Sequence, residues 1–175
     1  MILESSGNLD SAIQLYSEIL NQDPTHVKTN INLGKIFLDM GDSDSALACL
    51  KRAAEKDPTS FEAVNNLAGA YLAKNDFDNA VVYFTKAVTI EPKNLTAKLN
   101  LAKAYASAGQ YDSAKTSFLE ILQKDKENWE SYLELAKVCI ALKETEKAEG
   151  YLVTLQEKNP TYRASEVASL LQSIK

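Results

Sequence analysis

The 175 residues read as an all-α solenoid: antiparallel helix pairs stacked in a row, with a capping helix at the C-terminal end. Three features carry that reading. Alanine recurs at Ala12, Ala46, Ala80, Ala114 and Ala148, a constant step of 34 residues. Pro24, Pro58 and Pro92 keep the same step and Pro160 falls two steps after Pro92, with only Lys126 breaking the series. Between these marks each unit holds two apolar stretches with helical spacing.

Residues 1–6 read as the tail of a first helix, so the sequence is expected to be a fragment of a longer protein. A second helix follows at once, near 9–22, completing a partial repeat over 1–26. Full repeats are expected at 27–60, 61–94, 95–128 and 129–162. Their first helices carry Leu33, Leu67, Leu101 or Leu135, then a small residue (Gly34, Ala68, Ala102, Ala136), then Phe37, Tyr71, Tyr105 or Cys139. Larger residues such as Val64 and Tyr132 stand three places before the leucine. Second helices carry the repeated alanine and, four residues on, Tyr16, Leu50, Phe84, Phe118 or Leu152. Small residues such as Ala68 and Ala80 let paired helices approach, and the large ones fill the space around them.

The boundaries have their own chemistry. Gly41 and Gly109 can take the left-handed conformation that ends a helix, and Asn75 tolerates it. Lys143 takes that place in the last repeat. Asp10, Asp44, Asp78, Asp112 and Glu146 open the second helices, where the positive end of the helix dipole favours a carboxylate. These recurring acids are helix punctuation rather than catalytic groups. Second helices should stop near Asp57–Pro58 and Glu91–Pro92, because the residue before proline avoids the helical region. Over 163–175, Val167, Leu170, Leu171 and Ile174 form one apolar stripe, as a capping helix requires.

Composition narrows the function. With 45% hydrophobic and 25% charged residues the chain is a folded globular type. A net charge of -5 argues against a binder of phosphate backbones. No apolar run approaches twenty residues, so no transmembrane segment is expected. Cys49 and Cys139 sit in apolar helical patterns and read as small buried hydrophobes. The single histidine, His26, lies in a loop with no clustered ligands, so neither a metal nor another cofactor is expected. No Ser/His/Asp set and no phosphate loop is present, and an enzyme is not expected.

Residues 64–92, "VNNLAGAY…A…F…A…P", carry the cleanest copy of the pattern. On these residues the chain resembles the tetratricopeptide repeat (TPR) family, whose period and signature they share. The resemblance spans almost the whole sequence and implies a right-handed solenoid. In it the first helices would line a concave groove, with the second helices outside. A fold of this kind does not by itself fix a function.

On that mapping Asn32, Asn66 and Asn100 occupy one position in three consecutive repeats, with Glu134 in the fourth. Each lies one residue before the core leucine, about 100° around the helix, and should face the groove. A primary amide offers donors and an acceptor that match a peptide unit. The row is similar to the asparagine ladder in the TPR superhelix of O-GlcNAc transferases; no transferase domain is present, so no activity follows. Asn65 neighbours the row. Lys28, Lys35, Lys103 and Lys137 fall on the same face, with Glu62, Glu130 and Glu134 against them, which would favour a ligand with acidic groups or a free C-terminus.

Members of the family that grip chaperone tails use Lys, Asn, Asn, Lys and Arg at fixed positions. The corresponding residues here are Ile31, Lys35, Asn66, Thr96 and Asn100, of which only Asn66 fits. One repeat further gives Asn65, Gly69, Asn100, Glu130 and Glu134, which reverses two charges. A chaperone-tail clamp is not expected. The leading expectation is a non-catalytic scaffold that binds an extended peptide or protein segment in its groove. The alternative is a structural subunit that self-associates through the solenoid ends, starting with the incomplete first repeat. The compartment stays open between cytoplasm and bacterial periplasm.

Overall fold

The computed structural model describes residues 2–174, with side chains from residue 9 onward. Among the described residues it is all helical: α1 (Ile2–Gln22), α2 (Val27–Asp39), α3 (Ser43–Lys56), α4 (Phe61–Ala73), α5 (Phe77–Ile90), α6 (Leu95–Ser107), α7 (Tyr111–Lys124), α8 (Trp129–Ala141), α9 (Thr145–Lys158) and α10 (Ala164–Ser173). The chain divides into two compact units, Met1–Pro92 and Lys93–Lys175. The all-α solenoid class expected from the period is the fold observed.

One expectation is corrected. The tail over 1–6 and the helix near 9–22 are not separate elements: α1 runs unbroken from Ile2 to Gln22. Gly7 stands one period before Gly41, yet the backbone stays helical through it. Extending an existing helix is easier than nucleating a new one, and α1 runs through Gly7 without a turn.

In the first unit α2 pairs with α3 and α4 with α5, while α2 and α4 also lie side by side. Its core gathers Ile31, Ala46, Leu50, Ala53, Ala63, Val64 and Leu67, with Tyr71 and Tyr83 packed on its edge. Those two rings stack with centroids 5.3 Å apart. In the second unit α6 pairs with α7 and α8 with α9, α6 touches α8, and α10 packs on α9. Ala102, Ala114, Phe118, Ile121, Leu135, Cys139 and Ala148 form one cluster there. Leu133, Ala136, Leu152, Leu155 and Val167 form a second, which closes under α10. Both cysteines are buried, and that burial pushes their thiols above the ordinary value.

The turns between paired helices share one conformation. Gly41 (φ 78°), Asn75 (φ 59°), Gly109 (φ 72°) and Lys143 (φ 61°) are all left-handed. Lys143 therefore makes the same turn as the glycines, although its Cβ makes that region costly. Two second helices, α3 and α5, begin with a cap that the recurring acids did not reveal, while α7 and α9 have no side-chain cap. Asp42 and Asp76, not Asp44 and Asp78, accept from the backbone N–H three residues on, at Ser45 (3.1 Å) and Asn79 (3.3 Å). Asp44 and Asp78 sit in the first turn, where the dipole favours them.

The small-residue series hides one tight pairing. A Cβ placed on Gly34 would lie 2.5 Å from Leu50 Cγ. Leu50 therefore occupies the space that a methyl at position 34 would need. Gly34→Ala gains helix propensity of up to ~1 kcal/mol but overpacks the α2–α3 contact. A net loss of about 1–2 kcal/mol is expected, read as a lower urea midpoint with unchanged slope. An equal or higher midpoint would show that Leu50 yields without cost.

Candidate functional site

The face to be judged is that of the first helices, α2 and α4 in one unit and α6 and α8 in the other. Each of these helices starts at a capped turn. His26 Nδ1 accepts from the Thr29 N–H at 3.3 Å, and Ser60 Oγ accepts from the Ala63 N–H at 3.3 Å. Asn94 and Asn128 cap α6 and α8 in the same way, at 3.0 and 3.1 Å. These caps fix where the helical face begins and so set the level of every side chain on it.

The amide series is not uniform. Asn32 is half-buried, and its Nδ2 donates to the Tyr16 hydroxyl on α1 at 3.2 Å. Asn65 and Asn100 are half-buried and also hold interactions within the chain. Asn66, half-buried on α4, makes no side-chain hydrogen bond among the described residues. Its oxygen and both of its amide protons are therefore open to a partner.

The lysines are likewise unequal, and a regular arrangement explains why. Lys35 on α2 pairs with Glu62 on α4 at 3.4 Å. Lys103 on α6 pairs with Glu130 on α8 at 2.8 Å. Both pairs span 27 residues, one period less two helical turns, so each unit carries one rung from first helix to first helix. In α8, Lys137 bonds Glu134 at 2.8 Å and Glu166 of α10 at 2.7 Å. Glu134, which replaces the asparagine in the fourth repeat, is thus committed to an internal pair. Lys28 is exposed and has no ion pair among the described residues.

Sequence reasoning placed these glutamates opposite the lysines but did not pair them. The signal was present: a lysine series and a glutamate series at one offset, each on the same helical face. A ligand carboxylate arriving at Lys35, Lys103 or Lys137 must displace a resident glutamate, whereas at Lys28 it meets an uncommitted ammonium.

The Lys137–Glu166 contact also ties α10 to α8. For Lys137, burial opposes the charged form, but the hydrogen bonds it donates to Glu134 and Glu166 outweigh it and raise the pKa. For Glu166, the bond from Lys137 holds the carboxyl below its ordinary value. A raised lysine contributes stability that is lost only as pH rises through its folded value. A lowered glutamate contributes stability that is present above about pH 4.3 and lost as pH falls through its folded value. Acid therefore releases α10 through Glu166. Amide protection in α10, corrected for intrinsic rates, is expected to fall roughly two- to fivefold between pH 6 and pH 3 relative to Glu166→Gln. Equal pH dependence in the two proteins would remove the ion pair from the account.

Among the described residues, pockets that include two shallow ones lie elsewhere. One, of about 370 Å³, is lined by Tyr105, Asp112, Ser113, Thr116 and Ser117. The other, of about 200 Å³, is lined by residues of α3, α4 and α5 including Lys51, Glu55 and Lys86. Neither touches the amide series. No helix among the described residues is long and apolar enough to cross a membrane.

Comparison with known proteins agrees with this architecture. The tetratricopeptide repeat profile matches residues 3–71, 71–121 and 107–174. No curated protein sequence matches. Among solved structures, a crystal structure of MamA is 25% identical, with a TM-score of 0.80, covering 91% of this chain and 95% of that one. TTC0263, a thermophilic TPR protein in Thermus thermophilus, is 21% identical with a TM-score of 0.72, covering 97% and 94%. YrrB, a TPR protein with an unusual peptide-binding site, is 14% identical with a TM-score of 0.72, covering 91% and 81%.

Proposed function

The chain belongs to the tetratricopeptide repeat family, and we propose that it is a non-catalytic scaffold binding an extended peptide or protein segment along its first helices. The observation that carries this reading is Asn66: a half-buried amide on the first-helix face with no hydrogen-bond partner among the described residues. An amide so placed can accept from one peptide N–H and donate to one peptide carbonyl. Asn32 retains its oxygen after donating to Tyr16. Lys28, one turn before Asn32 on α2, gives an acidic group or free C-terminus a place to bind without breaking an existing pair. YrrB, a neighbour in fold, is a protein with a peptide-binding site.

Asn66→Ala tests the reading. Loss of a hydrogen bond to a neutral group is expected to weaken a captured peptide about five- to tenfold, by fluorescence anisotropy. The melting temperature should hold, because no internal bond is broken. Unchanged affinity for a peptide shown by cross-linking to lie on α4 would defeat the proposal. A second reading, self-association through the N-terminal end, draws on Leu15 of α1, 57% exposed; sedimentation of the wild type and Leu15→Lys at high concentration separates the two.

A further inference from the structure

The five described glycines fall into groups with different causes. Gly41 and Gly109 occupy left-handed turns. Gly34 is required by Leu50. Gly69 and Gly150 have neither reason: both lie inside helices, and a Cβ on either would meet nothing within 4 Å. Glycine in a helix interior is less favourable than alanine, because its backbone loses more freedom on folding. Among the described residues, none fills the space that a Cβ would take at these two positions.

Their surroundings differ. Gly150 lies exposed on α9, a second helix, one turn after Glu146 of the helix-opening acid series and off the helices that carry the asparagine row. Gly69 lies on α4, one helical turn after Asn66 on the same face. Its equivalents in the other repeats are Lys35, Lys103 and Lys137, long side chains that rise from the face and end in ion pairs. At Gly69 that cover is missing: the residue is half-buried, with open space where a Cβ would stand. Glu62, two turns before Gly69 on α4, is already paired with Lys35, so it offers no lone charge to a ligand.

We infer that Gly69 is a specificity-determining contact: it lets the main chain of an uncharged, extended segment settle directly on α4 beside the Asn66 amide. This rests on the scaffold reading above and specifies its ligand at this point. A segment held there has a small, uncharged residue over Gly69, because a larger one lifts its backbone out of reach of Asn66. Lysine at this position, as in the other repeats, would close the seat.

The test uses the full chain, immobilised and offered a phage-displayed library of random dodecapeptides, followed by affinity measurements on the enriched peptides. The wild type is expected to enrich peptides with an uncharged Gly, Ala or Ser centre whose binding depends on Asn66. Gly69→Ala should raise the melting temperature by about 2–4 °C and weaken those peptides at least tenfold. Gly150→Ala, the control, should raise the melting temperature similarly and leave binding unchanged. A Gly69→Ala protein that binds within twofold of wild type overturns the inference while leaving the scaffold reading intact. No peptide enriched by the wild type, or enrichment indifferent to Asn66→Ala, overturns the scaffold reading and this inference with it.

Discussion

Phe118→Ala is expected to cost about 3–5 kcal/mol, a large share of the roughly 5–15 kcal/mol by which a domain is stable. Phe118 on α7 is fully buried, among Ala102, Ala114, Ile121, Leu135 and Cys139. These neighbours are mostly small or belong to rigid helices, so they cannot close over the space a phenyl ring leaves. The lost transfer energy and the residual cavity then add. The chain reports on this unit conveniently: its single tryptophan, Trp129, lies on α8 in the same unit. Trp129 fluorescence should show a sharply lower urea midpoint for the variant. A fall of under about 1.5 kcal/mol would mean that the helices collapse onto the gap.

Asn30→Val is the second change with a large expected effect, although the same position in the next repeat is Val64, fully buried. Asn30 is 0% exposed and commits every polar atom to its surroundings. Its amide nitrogen donates to the carbonyls of Pro24 and His26, at 2.9 and 3.1 Å. Its oxygen accepts from Arg52 Nε at 3.0 Å, and Arg52 also donates to Cys49 Sγ at 3.3 Å. One side chain thereby fastens the loop between α1 and α2 to α3. Valine fits the volume but leaves those partners unmet, at a cost of about 1–3 kcal/mol. Hydrogen exchange over residues 23–26 should speed up along with the drop in global stability. A Val variant as stable as wild type, with an unchanged loop, would show that water replaces the amide freely.

The helices were legible because their causes are local and repeated. Alanine every 34 residues, a leucine one turn from an aromatic and a proline after the second helix specify pairs without reference to the rest of the chain. Where a cause lies in a second element, the pattern alone missed it. Even a local choice needed the geometry: the period marked Asp44, but Asp42, two residues earlier, takes the backbone N–H. Gly34 reads as one more small residue until Leu50 is seen filling its place. Asn30 lies off the amide row and drew no notice, yet it is the asparagine most deeply committed to the fold.

The candidate face follows the same division. The period put Asn32, Asn66 and Asn100 in register, but equality of position did not make them equal in chemistry. Tyr16 reaches Asn32 from α1, while Asn66 has no such neighbour. The lysines were assigned to a ligand by sign alone. Their pairing with Glu62, Glu130, Glu134 and Glu166 depends on distances between helices that no single helix encodes.

The fit of Leu50 into the hollow of Gly34 bears on how such arrays can be re-engineered. Four copies of one motif invite cut-and-paste exchange, as though any front helix could be married to any back helix. Here α2 and α3 are matched like a key and its own lock. A chimaera joining α2 to a back helix shaped for an alanine would carry a void, and one joining α3 to an alanine-bearing front helix would jam. Exchange should succeed only when both members of a pair travel together.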